Sequence, residues 1–401
     1  MTAVAVKNDI YWVGAVDWNV RDFHGYSTDK GTTYNAYLIK DEKVALFDTV
    51  KHNLKSDLIH NIHQVIDPRR IDYIIVNHVE MDHSGSLPEL IDLVQPEKVF
   101  CSANGKRALL SHFHREDWPL EVVKTGDEIS LGARTVQFIE TKMLHWPDSM
   151  FSYIKEEKLL ISSDAFGQHL ATSERFDDQL PMDELMAHAA KYFANILLVF
   201  SPLVQKLLAD VKAMGLAIDT IAPDHGPIWR TNPDRIIAAY DRWSSQEARA
   251  KAVVVFDTMW HSTEKMAKAV CAGLAREGLD VRLMSARLCH RSDIIAEMLD
   301  AKAVLLGSAT LNNNIMPRMA DIITYAKGLR PKGKLGATFG SYGWSGEAVK
   351  HLNNALEEIG IEQVHEGVRV KNVPTHDGYQ SCVEMGAAVG RAVNQALQQS
   401  A

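Results

Sequence analysis

Residues 78–83 constrain the fold of this chain more than any other segment. They read His-Val-Glu-Met-Asp-His and follow the apolar run 73–76 after a single residue, Asn77. In an extended chain alternate side chains point the same way, so His78, Glu80 and Asp82 converge. We expect His83 to join them at a bend supplied by residues 84–86. The pattern predicts a metal site at the tip of a strand, whereas a single polar residue there would only be solvated.

Three later residues also follow apolar runs that we predict to be strands. His145 comes after residues 135–139, Asp164 after 159–161, and His225 after 218–221. Each of them alone would be typical of a turn or of a hydrogen-bonding residue. Together with the first cluster they make four histidines and three carboxylates. Such a set is large enough to hold two metal ions.

The second half of the chain has a different pattern, in which short apolar runs alternate with segments of helical periodicity. We predict strands at 252–256, 281–284, 303–307, 335–339 and 368–370, and helices at 292–299, at 316–327 and from about 346. Met266, Val270 and Leu274 recur at helical spacing between the first two strands. Five strands alternating with helices indicate a doubly wound parallel sheet.

In such a sheet a ligand binds where the strands end, so the loops at the carboxyl ends are the candidate site. The first loop runs into a helix, where Ser262, Thr263 and free backbone N–H groups suit a phosphate. The three candidate loops are 257–263, 308–314 and 341–346. They are rich in hydroxyls, amides and small residues, which suits a flavin, although polar loop tips are often only solvated. No Gly-x-Gly-x-x-Gly follows a strand, which disfavours an NAD-binding unit. The candidate cofactor-binding residues are Thr258, Met259, Trp260, Ser262, Thr263, Ser308, Thr310, Asn312, Asn313, Ser341, Tyr342, Gly343, Trp344, Ser345 and Gly346.

Length and composition indicate an enzyme of two domains. A chain of 401 residues with 46% hydrophobic residues can form two cores, and the polar segment 244–251 predicts domains of 1–249 and 250–401. We find neither an apolar run of about 18 residues nor a signal peptide, so we expect a cytoplasmic protein that does not bind membranes. A net charge of −8 argues against nucleic acid. The four cysteines are scattered, which predicts reduced thiols and no iron–sulfur module.

The metal pattern resembles the metallo-β-lactamase-like family, with one informative departure. Glu80 stands where the zinc hydrolases of that family have a second histidine. Mixed carboxylate and imidazole sets are common for iron, so Glu80 favours redox chemistry at two irons, although zinc and manganese remain open.

The whole chain resembles the flavodiiron proteins. Besides the metal pattern, the segments 257–263 and 341–346 resemble the FMN loops of that family, and 146–149 and 223–226 are also similar. Ala309 departs from the proline that the family often has.

This resemblance implies a metallo-β-lactamase-like αββα sandwich followed by a flavodoxin-like parallel sheet. It implies that FMN and two iron ions reduce dioxygen to water, or nitric oxide to nitrous oxide, with electrons from rubredoxin. It also implies a head-to-tail homodimer, or a dimer of such dimers. The implied metal ligands are His78, Glu80 and His145 on one iron and Asp82, His83 and His225 on the other, with Asp164 between the two. Asp164, His83 and Trp344 are the implied catalytic residues, and His24 and Tyr26 are candidate outer donors.

Two other functions remain open. A zinc-dependent hydrolase fused to a flavodoxin-like module would keep the metal ligands, and Glu80 argues against it. An electron-carrying flavoprotein with a vestigial metal site would keep the flavin loops, and the intact set of ligands argues against it.

Overall fold

The computed structural model describes residues 2–400, which form two compact units. The first unit comprises residues up to 24, 28–192 and 202–241, and the second comprises 25–27, 193–201 and residues from 242 onward. The predicted division between residues 249 and 250 stays a prediction.

The first half of the chain contains the strands β1 to β16 and the helices α1 to α7. The strands are β1 (Val4–Lys7), β2 (Ile10–Trp12), β3 (Ala15–Asp17), β4 (Asp22–Phe23), β5 (Tyr26–Ser27), β6 (Thr32–Tyr34), β7 (Tyr37–Ile39), β8 (Ala45–Phe47), β9 (Tyr73–Val76), β10 (Lys98–Ser102), β11 (Leu120–Val123), β12 (Glu128–Ser130), β13 (Thr135–Glu140), β14 (Met150–Ile154), β15 (Leu159–Ile161) and β16 (Thr220–Ala222). The helices are α1 (Lys55–His63), α2 (Met81–Ser84), α3 (Leu87–Val94), α4 (Ala103–Phe113), α5 (Met182–Tyr192), α6 (Ser201–Ala213) and α7 (Pro233–Ser244).

Two sheets packed face to face form the first unit. One has the strand order β1-β2-β7-β8-β9-β10-β11, and the other has the order β12-β13-β14-β15-β16. Side chains of both sheets share one apolar core, in which Phe47 and Phe100 of the first sheet lie with Phe138 and Ile161 of the second. A separate core joins the outer surface of the first sheet to α1 and α3. Helices outside paired sheets form the predicted αββα sandwich.

The second half contains one sheet between two layers of helices. Its strands are β17 (Arg249–Asp257), β18 (Asp280–Ser285), β19 (Ala301–Ser308), β20 (Leu335–Tyr342), β21 (Glu362–Gln363) and β22 (Val368–Lys371). Its helices are α8 (Ser262–Arg276), α9 (Arg291–Met298), α10 (Pro317–Leu329), α11 (Ala348–Ile359) and α12 (His376–Ser400). The strands pair in parallel in the order β18-β17-β19-β20, with β22 beside β20. This is the flavodoxin-like order of a doubly wound sheet.

Two short segments from the first half of the chain belong to the second unit. The amide of Ser27 donates a hydrogen bond to Oγ of Ser292 at 3.1 Å. The side-chain amide of Asn195 donates to the carbonyl oxygen of Ser292 at 3.0 Å. Both segments therefore anchor at the first turn of α9.

Residues 182–213 form one nearly continuous helical stretch that is long and apolar enough to cross a membrane by composition alone. Half of its most apolar window is buried inside the protein. A π-helical turn at Phe193–Leu197 and a 3-10 turn at Leu198–Phe200 also interrupt it. The expectation that the protein does not bind membranes stays a prediction.

Candidate metal site and cofactor pocket

The backbone bends earlier in the first ligand segment than we expected. Residues 77–80 continue from β9 without regular structure, and a single helical turn, α2, begins at Met81. The prediction that Asp82 extends the strand is therefore wrong. The bend is stabilised by Oγ of Ser84, which donates to the carbonyl oxygens of Val79 and Glu80 at 2.7 and 3.1 Å. As a result, this segment supplies two separate groups of ligands.

The first group contains His78, Glu80, His145 and one oxygen of Asp164. Nε2 of His145 lies 3.2 Å from Oε2 of Glu80 and 3.1 Å from Oδ2 of Asp164. Nε2 of His78 lies 3.3 and 3.4 Å from the same two oxygens. These four donor atoms surround one point.

The second group contains Asp82, His83, His225 and the other oxygen of Asp164. Nε2 of His83 lies 3.4 Å from Oδ2 of Asp82 and 3.3 Å from Oδ1 of Asp164. Nε2 of His225 lies 3.4 and 3.2 Å from the same oxygens. The carboxylate of Asp164 thus directs one oxygen to each group, which is the geometry of a bridging ligand.

Unsatisfied buried atoms test whether these residues fit metal ions. Within the described part of the chain, both carboxylate oxygens of Asp82, Nε2 of His83 and Oδ2 of Asp164 are buried and make no hydrogen bond. Buried polar atoms are normally hydrogen-bonded because their desolvation is costly. A cation in each group would satisfy Oδ2 of Asp82, Nε2 of His83 and Oδ2 of Asp164, so the residues fit two metal ions.

The electrostatics agree with this fit. Burial opposes the charged form of His83, but Asp82 and Asp164 outweigh it and raise its pKa to about 9. Burial likewise opposes ionisation of Asp164, yet His83, His145 and His225 hold its pKa well below the ordinary value. Without metal these shifts favour a protonated His83 beside an ionised Asp164. A metal ion replaces that proton.

Outer contacts orient the imidazoles. Nδ1 of His78 lies 3.0 Å from Oδ2 of Asp148, and Nδ1 of His225 lies 2.7 Å from the carbonyl oxygen of Thr33. His24, a candidate outer donor, places Nε2 at 3.0 Å from Oε1 of Glu80. The ring of Trp146 packs edge-on against that of His78, with centroids 5.2 Å apart.

A cavity of about 530 Å³ lies at the carboxyl ends of the strands in the second unit. Most of the predicted cofactor-binding residues line it: Met259, Trp260, Ser262, Thr310, Asn312, Asn313, Ser341, Tyr342, Gly343, Trp344 and Ser345. Trp260 and Trp344 are 87% and 88% exposed, so their rings are free to cover a flat ligand. A cavity of this size is typical of a cofactor site.

The other four predicted residues do not line the cavity. Thr263 is buried and lies 2.8 Å from Ser341 through their hydroxyl oxygens, and Ser308 accepts a hydrogen bond from the amide of Met316. Thr258 is buried, and Gly346 has a positive φ of 80°.

Ala309, Leu311, Asn372 and Val373 line the cavity although we did not predict them as cofactor-binding residues. Asn372 and Val373 follow β22. That strand was predicted, and the rule that ligands bind at carboxyl ends of strands was a signal that could have found them.

The folds and the two sites define a class of protein: a metal-binding sandwich of the β-lactamase type joined to a flavodoxin-like domain. Models of two families match the chain, the ODP family beta lactamase at residues 32–226 and flavodoxin at 254–386. A nitric oxide reductase of Moorella thermoacetica is 49% identical over 97% of this chain and 98% of its own length.

Solved structures of similar fold agree with these sequence matches. The rubredoxin oxygen:oxidoreductase of Desulfovibrio gigas has a TM-score of 0.97 at 47% identity, covering 99% of this chain and 100% of its own. The flavodiiron protein of Giardia intestinalis has a TM-score of 0.97 at 33% identity, covering 100% and 99%. The chain belongs to the flavodiiron proteins. The predicted resemblance and fold class are confirmed, and the hydrolase alternative is not favoured.

Proposed function

We propose that this chain is an oxidoreductase that reduces dioxygen to water or nitric oxide to nitrous oxide. In this proposal two irons occupy the two ligand groups, FMN occupies the cavity of the second unit, and a rubredoxin supplies electrons. The observation that carries the proposal is the position of Asp164, whose two oxygens divide between the two groups. The names of the relatives support both gases.

The side chains of the two ligand groups and their hydrogen-bond partners have separate roles in this proposal. Glu80 and Asp82 would each hold one metal through an anionic oxygen, and Asp164 would contribute one oxygen to each position. When bound, the two irons supply the redox chemistry that a diatomic gas requires, and FMN supplies electrons one at a time. The hydroxyl of Tyr192 donates a hydrogen bond to Oδ1 of Asp164 at 3.0 Å and stabilises the ionised carboxylate. His24 lies between Glu80 and solvent, since its Nε2 is 3.0 Å from Oε1 of Glu80 and its side chain is 71% exposed.

The cavity residues would hold FMN through three kinds of contact. The amino terminus of α8 with Ser262 suits the phosphate, because free N–H groups and the helix dipole favour an anion. The amides of Asn312 and Asn313 suit the polar edge of the ring. Trp344, the third implied catalytic residue, has an exposed indole at the mouth of the cavity, where an electron donor must approach.

We further propose a cytoplasmic, head-to-tail homodimer that binds neither membranes nor nucleic acid. Its support comes from exposed apolar side chains in both units. Met81 and Met143 are 49% and 36% exposed and lie close in sequence to metal ligands. Met259, Trp260 and Trp344 are exposed at the cavity. A second copy would cover both surfaces. The four free cysteines are consistent with a reducing compartment.

The decisive experiment measures gas consumption by protein loaded with iron and FMN, with reduced rubredoxin as the donor. We expect rubredoxin-dependent consumption of oxygen or nitric oxide by the wild type, and none by Glu80→Ala, which should still bind FMN. Equal consumption by wild type and Glu80→Ala would contradict catalysis at the metal site. Zinc in the purified protein together with ester hydrolysis in the absence of reductant would identify a hydrolase instead.

A further inference from the structure

The two ligand groups contain the same types of ligand, but the hydrogen-bond partners of their imidazoles differ. Each group has one carboxylate of its own, two imidazoles and one oxygen of Asp164. The difference lies at the imidazole nitrogens that point away from the metals. Any difference in metal affinity between the two positions should therefore originate in these outer contacts.

Asp148 supports the first group directly. Its Oδ2 lies 3.0 Å from Nδ1 of His78 and accepts a hydrogen bond from the amide of Val79 at 2.7 Å. The carboxylate is buried, with 3% of its surface exposed. A carboxylate that accepts from Nδ1–H fixes the tautomer that leaves Nε2 free for a metal, and it makes the imidazole a stronger donor.

Among residues 2–400, no carboxylate lies within hydrogen-bond distance of Nδ1 of His83 or His225 in the second group. Nδ1 of His225 donates to the carbonyl oxygen of Thr33, which is neutral. Nδ1 of His83 lies 3.7 Å from Oδ2 of Asp224, which is too long for a hydrogen bond.

Asp148 also ties two distant segments together. It follows His145 by three residues in the same loop, and its own carbonyl oxygen accepts a hydrogen bond from Oγ of Ser102 at 2.8 Å. The amide of Asn104 holds the preceding residue, Pro147, through its carbonyl oxygen at 2.7 Å. The loop that carries His145 is thereby fixed beside His78.

We propose that Asp148 is a positioning residue that makes the first metal position, formed by His78, Glu80 and His145 with Asp164, the tighter of the two. When metal is limiting, this position fills first. The inference rests on the proposed function only in taking the two groups to be metal sites. It does not depend on which gas is reduced.

The test uses full-length protein with FMN bound and metal removed. Ferrous iron is titrated anaerobically against a chelator, and Mn²⁺ serves as a redox-inert second probe. The wild type should show two unequal dissociation constants. Glu80→Ala should remove the tighter one, and Asp82→Ala the weaker one. Two equal constants, or the opposite assignment, would overturn the proposal.

Asp148→Asn tests whether Asp148 causes the tighter metal binding at the first position. It keeps the size of the side chain and its contact with Val79 but loses the charge behind His78. Loss of such an outer partner should weaken the tighter constant by about 10–100-fold and leave the weaker one unchanged. Asp148→Glu should restore part of the difference. Asp41→Asn is the control, because Asp41 is a buried carboxylate that pairs with Arg134 elsewhere in the first unit.

Two further outcomes keep the proposal falsifiable. Equal weakening of both constants in Asp148→Asn would indicate a general structural role and refute it. If Asp148→Asn fails to fold, the assignment by Glu80→Ala and Asp82→Ala still decides which position is tighter. A protein with the predicted metal order but no gas reduction would refute the proposed function alone.

Discussion

At the scale of single residues, one carboxylate is shared by the two ligand groups. Asp164 lies in the turn after β15 and directs an oxygen to each ligand group. It is almost fully buried. The two metal positions are consequently linked through a single side chain.

Asp164→Ala should separate gas reduction from flavin chemistry. Because the loss of even an outer-shell partner costs roughly 10–100-fold, loss of the shared ligand should lower gas reduction by at least about 100-fold. FMN should still bind and be reduced, since its cavity lies in the other unit. Stopped-flow spectra should show normal flavin reduction followed by slow reoxidation. Asp219→Ala, at an exposed carboxylate of the same unit, is the control. Rapid reoxidation in Asp164→Ala would mean that the flavin itself reduces the gas.

Lys334 gives the second unit a pH-dependent stability. Burial opposes its charge and lowers its pKa to about 7, and its Nζ donates a hydrogen bond to the carbonyl oxygen of Leu299. Below pH 7 the amine is charged in both the folded and the unfolded chain, so the full cost of burying the charge is present. Between about pH 7 and 10.5 the unfolded chain binds the extra proton, so stability rises with pH.

Lys334→Met should therefore stabilise the protein at pH 6 by roughly 1–3 kcal/mol, allowing for the lost hydrogen bond. The advantage should shrink or reverse by pH 9.5. Thermal unfolding at the two pH values measures this difference. Lys350→Met is the matched control, because Lys350 is an exposed lysine of the same unit. An advantage that is the same at both pH values would rule out the charge of Lys334 as its cause.

The residues of the site were largely predictable because their chemistry is local. A dense run of ligands after an apolar strand, and single ligands after three others, identified the members of both groups. The bend at Glu80 was not predictable, since one helical turn depends on hydrogen bonds from Ser84 that the alternation of side chains does not reveal. The division of Asp164 between the groups came from family resemblance, because sequence spacing carries no distances.

At the scale of elements, the contact between α8 and α12 depends on two glycines. A Cβ at Gly386 would lie 2.2 Å from the carbonyl oxygen of Val270, and one at Gly273 would lie 2.1 Å from that of Val383. Both neighbours are backbone atoms, which cannot move aside without separating the helices. The close approach of these helices therefore requires glycine at both positions.

Gly386→Ala should destabilise the protein by about 1–3 kcal/mol, which is typical of overpacking. Gly328→Ala in α10 is the control with the opposite sign. A Cβ there meets no atom within 4 Å, so alanine should stabilise that helix by roughly 0.5–1 kcal/mol. Urea unfolding of the two variants measures both effects. Equal stabilities would refute the tight packing of α8 against α12.

The elements of the second half were predictable to different degrees. The five parallel strands were identified from short apolar runs, and the prediction is confirmed. Helix α12 was not predicted, although it is 25 residues long. Gly378, Gly386 and Gly390 lower its helical propensity, so its stability comes from tertiary packing against α8.

At the scale of the whole molecule, the proposed dimer can be tested by combining two inactive chains. Asp164→Ala disables the metal site, and Ser262→Asp places a negative charge where we expect the phosphate of FMN. In a head-to-tail dimer, the flavin of the first variant faces the intact metals of the second. Random mixing after dissociation should therefore restore about a quarter of wild-type activity. Light scattering should show a dimer throughout. A mixture that remains inactive while heterodimers form would show that electrons pass within one chain.

The path of the chain between its units limits how this protein can be recombined. Residues 25–27 and 193–201 belong to the second unit although they precede its main segment. A chimaera joined within the polar segment 244–251 would exchange the flavodoxin-like half. It would keep the original residues 25–27 and 193–201, which hydrogen-bond to Ser292. The first turn of α9 in the new domain would then contact segments from a different protein. Chimaeras should consequently fold best when all three segments of the second unit are transplanted together.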